Sequence, residues 1–386
     1  MSKPTFIDLF AGAGGASTGL INAGFECVAA IEIDDWASDT YELNHPSTKV
    51  IRRDIQKVQD KEFKKFKGID LIIGGPPCQG FSIAASNRRK KDDPRNHLYL
   101  HYVRAVEMIR PKFIIVENVK EIVKFNLENG ELLLTDFTNR LEKLGYKLNW
   151  RMLNAKNFGV PQDRIRFFLV GSLNEKINLE SIETHSEGNN LFKLKQVISL
   201  EEAINDLPIP IRGVDEYSYK KKPLNEYQKK MRKGCDKVYN HEPMRHTQRI
   251  IERFKHIPIN GSILNAPSSH RNRTRGDVDV LSEKVYSQNH RRLNPKEPSK
   301  TITASFYSSF IHSYQDRNLT VREAARIQGF PDKFRFLGKR TTLSNKLLAK
   351  KGIHEDIHLD QFNQVGNAVS PIVAEALGKL ILKHLK

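Results

Sequence analysis

One octapeptide, Asp8-Leu9-Phe10-Ala11-Gly12-Ala13-Gly14-Gly15, constrains the possible folds of this chain more than any other feature. It ends an apolar run of strand length, Thr5–Phe10, and opens a helix through Leu20 and Ile21. Gly24 stops that helix before a second strand, Phe25–Ile33. Strand, glycine turn and helix let backbone N–H groups approach a ligand closely, because glycine has no Cβ to collide. Glu32 closes the second strand, where a carboxylate can accept hydrogen bonds from both hydroxyls of a ribose. The pairing predicts an adenosine-type ligand, with a tight turn of purely structural purpose as the alternative. Ser17 stands where a dinucleotide fingerprint wants Gly or Ala, so a pyrophosphate ligand fits poorly.

Alternation of strand and helix continues to about residue 172. Ile69–Ile73, Phe113–Val116 and Arg166–Val170 are apolar runs of strand length. Leu98, Tyr102, Ala105, Val106 and Ile109 repeat at helical spacing, as do Leu133, Phe137, Leu141 and Leu144. The pattern predicts an α/β, doubly wound domain around a mostly parallel sheet over residues 1–172. Residues 173–318 lose that periodicity and are expected to form a second domain. A capping box at Thr320–Glu323 begins residues 319–386, which are expected to return to the first domain.

Charge is distributed unevenly. The 386 residues carry 63 Lys and Arg against 45 Asp and Glu, a net +18, and Tyr217–Lys300 holds 20 of the basic and 8 of the acidic residues. A localised basic excess points to a polyanion, first of all nucleic acid, over a merely solvated basic surface. No run reaches the roughly 18 apolar residues of a membrane span, and no signal-peptide pattern opens the sequence. Three separated cysteines, Cys27, Cys78 and Cys235, suit a reducing compartment and argue against disulfides or a cysteine-rich metal site. Cys235, His241, His246 and His256 match no common zinc spacing, so no metal is expected.

Cys78 follows Pro76-Pro77 at the end of the Ile69–Ile73 strand, and Glu117-Asn118 ends the Phe113–Val116 strand. Both belong to the carboxyl edge of the sheet, where α/β proteins place their ligands. A carboxylate at the mouth of an apolar strand can hold a raised pKa and act as an acid near neutrality. Each residue also has a plainer reading, Cys78 as a small buried hydrophobe and Glu117 as a helix cap or surface ion pair.

Taken together, these blocks resemble the DNA (cytosine-5) methyltransferases. Asp8–Gly15 is similar to the family's S-adenosylmethionine loop, Pro76-Pro77-Cys78 to its nucleophile motif, and Glu117-Asn118-Val119 to its acid motif. Gln162–Arg166 is similar to its paired-arginine motif, Arg322–Pro331 to the helix after the target-recognition region, and Gln364–Val369 to its closing motif. The resemblance implies a Rossmann-like methyltransferase domain, with a smaller target-recognition domain inserted before the C-terminal helices. It implies covalent catalysis by Cys78, acid assistance by Glu117, cytosine O2 contact by Arg164, and support from Arg166. It carries Phe10, Ala11, Gly12, Gly15, Glu32, Ile33, Asp54, Ile55, Pro77, Leu98 and Asn367 to cofactor binding, with S-adenosylhomocysteine as product. Ile33 departs from the pattern, since many members place an aromatic there.

Cytosine C5 is too electron-poor to attack a methyl donor unaided. A thiolate adding at C6 makes it nucleophilic, and a base inside a duplex must first be flipped out. By resemblance the segment Ser82–Asn96 closes over the flipped base. Gln79, Ser82, Arg88, Arg89 and Arg95 are expected to touch DNA there, and Arg271, Arg273, Arg275, Arg291 and Arg292 in the recognition region. The expected partner is double-stranded DNA, bound by a monomer in the bacterial cytoplasm and nucleoid, with a separate cognate restriction endonuclease. A tRNA cytosine-5 methyltransferase shares this chemistry, but its Cys-Phe-Thr signature is missing from the recognition region. A nucleotide-dependent oxidoreductase and a catalytically silent DNA-binding module are the alternatives of other classes.

Overall fold

The computed structural model describes residues 2–77, 97–180, 182–188, 194–273, 280, 289–304, 306–342, 348, 351–353 and 356–385. Two compact units divide the chain. The first comprises residues 1–158, 164–195 and 368–386, and the second comprises 159–163 and 196–367. These divisions differ from the boundaries expected at 172/173 and 318/319. Residues 173–195 stay with the first unit because backbone bonds hold them there: Thr184 donates to the Asn157 carbonyl and Lys195 to the Thr184 carbonyl. Side chains on the neighbouring strand do the same, Asn149 reaching the Ile177 carbonyl at 2.8 Å and Arg151 that of Leu179 at 3.0 Å. Residues 319–367 stay with the second unit because their helix Val321–Gln328 is buried along its whole length within it.

In the first unit the chain forms, in order, β1 (Thr5–Leu9), α1 (Gly15–Ala23), β2 (Glu26–Glu32), α2 (Asp35–Asn44), β3 (Lys49–Arg52) and α3 (Asp60–Phe63). Then come β4 (Leu71–Gly74), α4 (Leu98–Ile109), β5 (Phe113–Val119), α5 (Leu133–Lys143) and β6 (Lys147–Asn154). A two-residue strand β7 (Gln162–Asp163) belongs to the second unit, and β8 (Ile165–Ser172) returns to the first. The seven-stranded sheet has the order β3-β2-β1-β4-β5-β8-β6. Pairing is parallel from β3 to β5, and β8 runs antiparallel to both β5 and β6.

The central strands are continuous apolar runs because helices cover both of their faces. Leu71, Ile72, Ile114, Ile115 and Val116 are fully buried. Helix α4 turns Tyr102, Ala105, Val106 and Ile109 inward, and the Tyr102 ring meets Phe137 of α5 edge-on at 5.8 Å. Burying each such large side chain stabilises the fold by about 1.5–3 kcal/mol. β6 escaped the sequence reading because Lys147-Leu-Asn-Trp-Arg-Met-Leu-Asn154 has no clean alternation. It is an edge strand, and Trp150 is 45 % exposed.

The last helix belongs to the first unit and docks on α1, where Gly19 has no room for a Cβ: one would lie 2.2 Å from the Pro371 carbonyl oxygen. The second unit contributes helices α6 (Leu200–Ile204), α7 (Glu226–Arg232), α8 (Gln248–Lys255), α9 (Phe306–Ser309), α10 (Val321–Gln328) and α11 (Gln361–Asn367), and the last helix, α12, is Pro371–His384. Gln361–His384 passes for a membrane-crossing helix by length and mean hydropathy, though it contains no unbroken apolar run of that length. The non-helical residues 368–370 interrupt it, and 56 % of its most apolar window is buried.

Among the described residues the strands of the second unit are two residues long, so their ladders satisfy few backbone carbonyls. Buried arginines take over that task. Arg292 donates to the carbonyls of Ile257, Phe254 and His312, and Arg322 to that of Tyr239. Arg326, fully buried, donates to the Ala203 carbonyl and pairs with Asp206 and Asp332 at 2.7 Å. The expected helix at Thr320 is present, with Thr320 and Glu323 forming the capping box and Gly329 the left-handed C-cap.

Candidate active site

β5 and β8 run in opposite directions, so the end of one and the beginning of the other arrive at the same edge of the sheet. Val119 pairs with Arg166, and Glu117 with Phe168. The Glu117 carboxylate faces Arg166 Nε at 3.4 Å, both side chains being mostly buried. Burial pushes the Glu117 carboxyl above the usual carboxylate range, while Arg166 and then Arg164 pull it back. Arg164 is 4 % exposed, and its guanidinium reaches the Ala368 carbonyl at 3.4 Å.

Side chains alternate along this segment. Phe167 and Leu169 enter the hydrophobic core, and Arg164, Arg166 and Phe168 line the opposite face. That face bounds a small pocket, which Glu117, Val369 and Ser370 also line. Ser370 was not singled out from the sequence. Its hydroxyl is buried, does not cap α12, and has no hydrogen-bond partner among the described residues.

The exit of β4 lies against this acid. A Cβ on Gly75 would come within 3.2 Å of Glu117 Oε2, and the Asn118 side-chain amide donates to the Pro76 carbonyl at 3.0 Å. Asn118 Oδ1 meanwhile accepts from the N–H of Val119 at 2.8 Å. The backbone leading to Cys78 is therefore fastened to the strand that carries Glu117. Cys78 itself lies outside the described residues.

At the other half of the edge, Phe10 and Gly12 take left-handed backbone angles, with φ 60° and 54°. For a residue with a side chain that conformation costs about 1–2 kcal/mol. Glu32 holds the turn open: Oε2 accepts from the Gly12 N–H at 2.7 Å, and Oε1 accepts from Ile33 and Asp34 at 2.9 Å. Burial raises the Glu32 carboxyl, and the N–H groups of Asp34 and Gly12 oppose that rise. Among the described residues nothing lies within 4 Å of where a Gly12 Cβ would project, and Ile33 is 64 % exposed. An open glycine turn, an N–H-bound carboxylate and a bare aliphatic side chain fit the adenosine portion of a cofactor.

Ala11 and Gly15 are buried, Gly15 being the first residue of α1, and Pro77 is half-buried. Asp54 caps a turn by accepting from Gln56 at 2.9 Å. The side chains of Ile55 and Leu98 are in the core, and the Ile55 carbonyl accepts from Arg104 Nη2 at 2.8 Å. Asn367 is exposed at the end of α11.

The profile of C-5 cytosine-specific DNA methylases matches residues 4–383. The chain belongs to this family. It is 42 % identical over 379 residues to the type II methyltransferase M.DdeI of Desulfomicrobium norvegicum, covering 97 % of this chain and 88 % of the relative. It is 33 % identical to M1.HphI of Haemophilus parahaemolyticus, covering 98 % and 87 %. A solved Escherichia coli prophage protein described as a DNA modification methyltransferase superimposes with a TM-score of 0.74 at 27 % identity, covering 99 % of both chains. The Schizosaccharomyces pombe Dnmt2 structure, at 18 % identity and a TM-score of 0.60 with full coverage of both chains, shares the fold. DNA cytosine-5 methylation is the activity this membership assigns.

For a DNA methylase the arginines of the second unit matter, and they divide. Arg291 lines a second small pocket with Asn260, Asn294 and Lys300. Arg273 is half-buried, and Arg271 donates to the carbonyls of Ala266 and Leu264 at 3.0 and 2.9 Å. Arg292 corrects the expectation of a DNA contact. It is 7 % exposed, and its guanidinium is committed to backbone carbonyls and to Asp316 at 2.6 Å. Gln79, Ser82, Arg88, Arg89, Arg95 and Arg275 lie outside the described residues. The basic excess thus includes structural cations, Arg253 and Arg292 among them, as well as surface charge.

Proposed function

We propose that this methylase transfers a methyl group from S-adenosylmethionine to C5 of a cytosine flipped out of duplex DNA, through a covalent bond between Cys78 and cytosine C6. One observation carries the reading: the Glu117 carboxyl lies against Gly75, three residues before Cys78. This contact supports a common sheet edge for acid and nucleophile. Glu117, kept protonated to higher pH by burial, supplies a hydrogen bond or proton at N3 as Cys78 adds to C6. Arg164 contacts O2, and Arg166 holds the Glu117 carboxylate in place.

Phe10, Ala11, Gly12, Gly15, Glu32, Ile33, Asp54, Ile55, Pro77, Leu98 and Asn367 would hold the cofactor. Glu32 would receive the ribose hydroxyls, and Ile33 would cover the adenine. When bound, S-adenosylmethionine supplies an electrophilic methyl group on its sulfonium. Gln79, Ser82, Arg88, Arg89, Arg95, Arg271, Arg273, Arg275 and Arg291 would contact DNA. The names of the two relatives support a type II restriction–modification setting. In such a setting the enzyme would act as a cytoplasmic monomer beside a separate endonuclease.

The test uses duplex DNA of mixed sequence in which 5-fluorocytosine replaces cytosine, incubated with the enzyme and S-adenosylmethionine. A covalent adduct mapped to Cys78 by mass spectrometry, absent in Cys78→Ala, is expected. An enzyme that methylates ordinary DNA yet forms no adduct would overturn the covalent route. Sequencing plasmid DNA after expression, with detection of 5-methylcytosine, then gives the site.

A further inference from the structure

Helix α1 begins without a side-chain cap: its N-cap residue is Gly14, with φ 90°. The turn is held instead from the side, by the last part of α2. A Cβ on Gly14 would fall 2.8 Å from Tyr41 Cδ2 and 2.8 Å from His45 Nε2. His45 Nε2 lies 3.3 Å from the Gly14 carbonyl oxygen and 3.2 Å from Thr18 Oγ1, which itself donates to that carbonyl at 2.9 Å; a proton on Nε2 makes the ring a second donor to it. Tyr41 packs on His45 with ring centroids 4.7 Å apart. Its hydroxyl is 2.6 Å from Ser17 Oγ, which donates to Asp8 Oδ2 at 2.6 Å. Tyr41, His45, Ser17 and Asp8 are all buried.

The same helix starts at the other half of the cradle. Asp34 caps α2 by accepting from Ala37 at 2.9 Å, two residues after Glu32. Glu32 closes the ring by accepting from the Gly12 N–H. One rigid element of about 15 Å, at 1.5 Å per residue, therefore connects the carboxylate assigned to the ribose with the carbonyl of the glycine turn.

We propose that Tyr41 and His45 are positioning residues for cofactor binding, fixing the glycine turn relative to Glu32 through Gly14, Ser17 and Asp8 without touching the cofactor. This rests on the assignment of the turn to S-adenosylmethionine. Binding requires the turn and Glu32 in one arrangement, and any loss of that population weakens apparent affinity in proportion.

Calorimetric titration of S-adenosylmethionine into the full-length wild type, Tyr41→Phe, His45→Ala and His45→Gln tests it, together with the KM for cofactor and the kcat. Tyr41→Phe removes one oxygen and keeps the ring packing. It and His45→Ala are each expected to raise Kd about fivefold, the equivalent of one net hydrogen bond. KM for the cofactor should rise by more than kcat falls. His45→Gln, which retains an amide donor, should recover part of the affinity. Circular dichroism sets the folded fraction to which each Kd refers. A wild type that does not bind S-adenosylmethionine removes the cofactor reading. A wild type that binds, with Tyr41→Phe and His45→Ala binding equally well or losing only kcat, overturns the positioning role alone.

Discussion

The side-chain amide of Asn118 donates to the carbonyl of Pro76 at 3.0 Å, joining the exits of β5 and β4. The strand that carries Glu117 and the backbone of Pro76, two residues before Cys78, are thus tied together. Asn118→Ala is expected to lower kcat roughly ten- to a hundredfold, as a displacement of reacting groups does, with little change in KM for DNA. Single-turnover methylation measures it, and an unchanged rate would show that the bond does not position Cys78.

Glu117→Gln should slow transfer by about 10²–10⁴-fold. In the wild type, burial raises the carboxyl, so the protonated acid persists above the usual carboxylate range and activity declines as pH rises through that displaced value. The amide does not titrate, so this alkaline decline should vanish from the pH–rate profile of Glu117→Gln. A profile that retains it would assign the decline to another group.

Arg273 and Arg292 should respond in opposite ways to replacement by alanine. Arg273→Ala is expected to reduce the salt slope of DNA binding by about 0.9, the signature of one lost phosphate contact. Arg292→Ala should leave carbonyls and Asp316 unpartnered and cost about 3 kcal/mol or more in urea unfolding. A stable Arg292→Ala with a reduced slope would restore Arg292 to the DNA-contacting set.

Asp8 links stability to pH. Burial, opposed by the Ser17 hydrogen bond and reinforced by Glu32, pushes its carboxyl up to about 7. The unfolded chain releases that proton at about pH 4, so between these values the folded state holds more protons. Stability from this group is full at the acid end of the window and lost as pH rises to 7, by roughly 1.4 kcal/mol per unit of displacement. Asp8→Asn should flatten the fall in melting temperature from pH 5 to 7, and identical slopes would refute it.

The sheet was legible where strands are buried on both faces, because Ile72–Ile73 and Phe113–Val116 leave no other use for such runs. β6 was not, since an edge strand needs only a few inward side chains. Glu32, Glu117 and the Asp8–Gly15 turn could be read because their chemistry sits at strand ends. Tyr41 and His45 could not: their partner Gly14 is more than twenty-five residues away, and contact over that distance is set by how α2 folds back. Arg292 misled for a different reason, since a guanidinium serving carbonyls and one awaiting phosphate have the same letter.

Because β8 is clasped by β5 on one side and β6 on the other, its frame cannot drift. A one-residue slip within it would exchange Arg164 and Arg166 for Ile165 and Phe167 on the pocket face. Variation in length among functional descendants of this chain should therefore accumulate outside Arg164–Ser172, even where individual side chains inside that stretch are replaced.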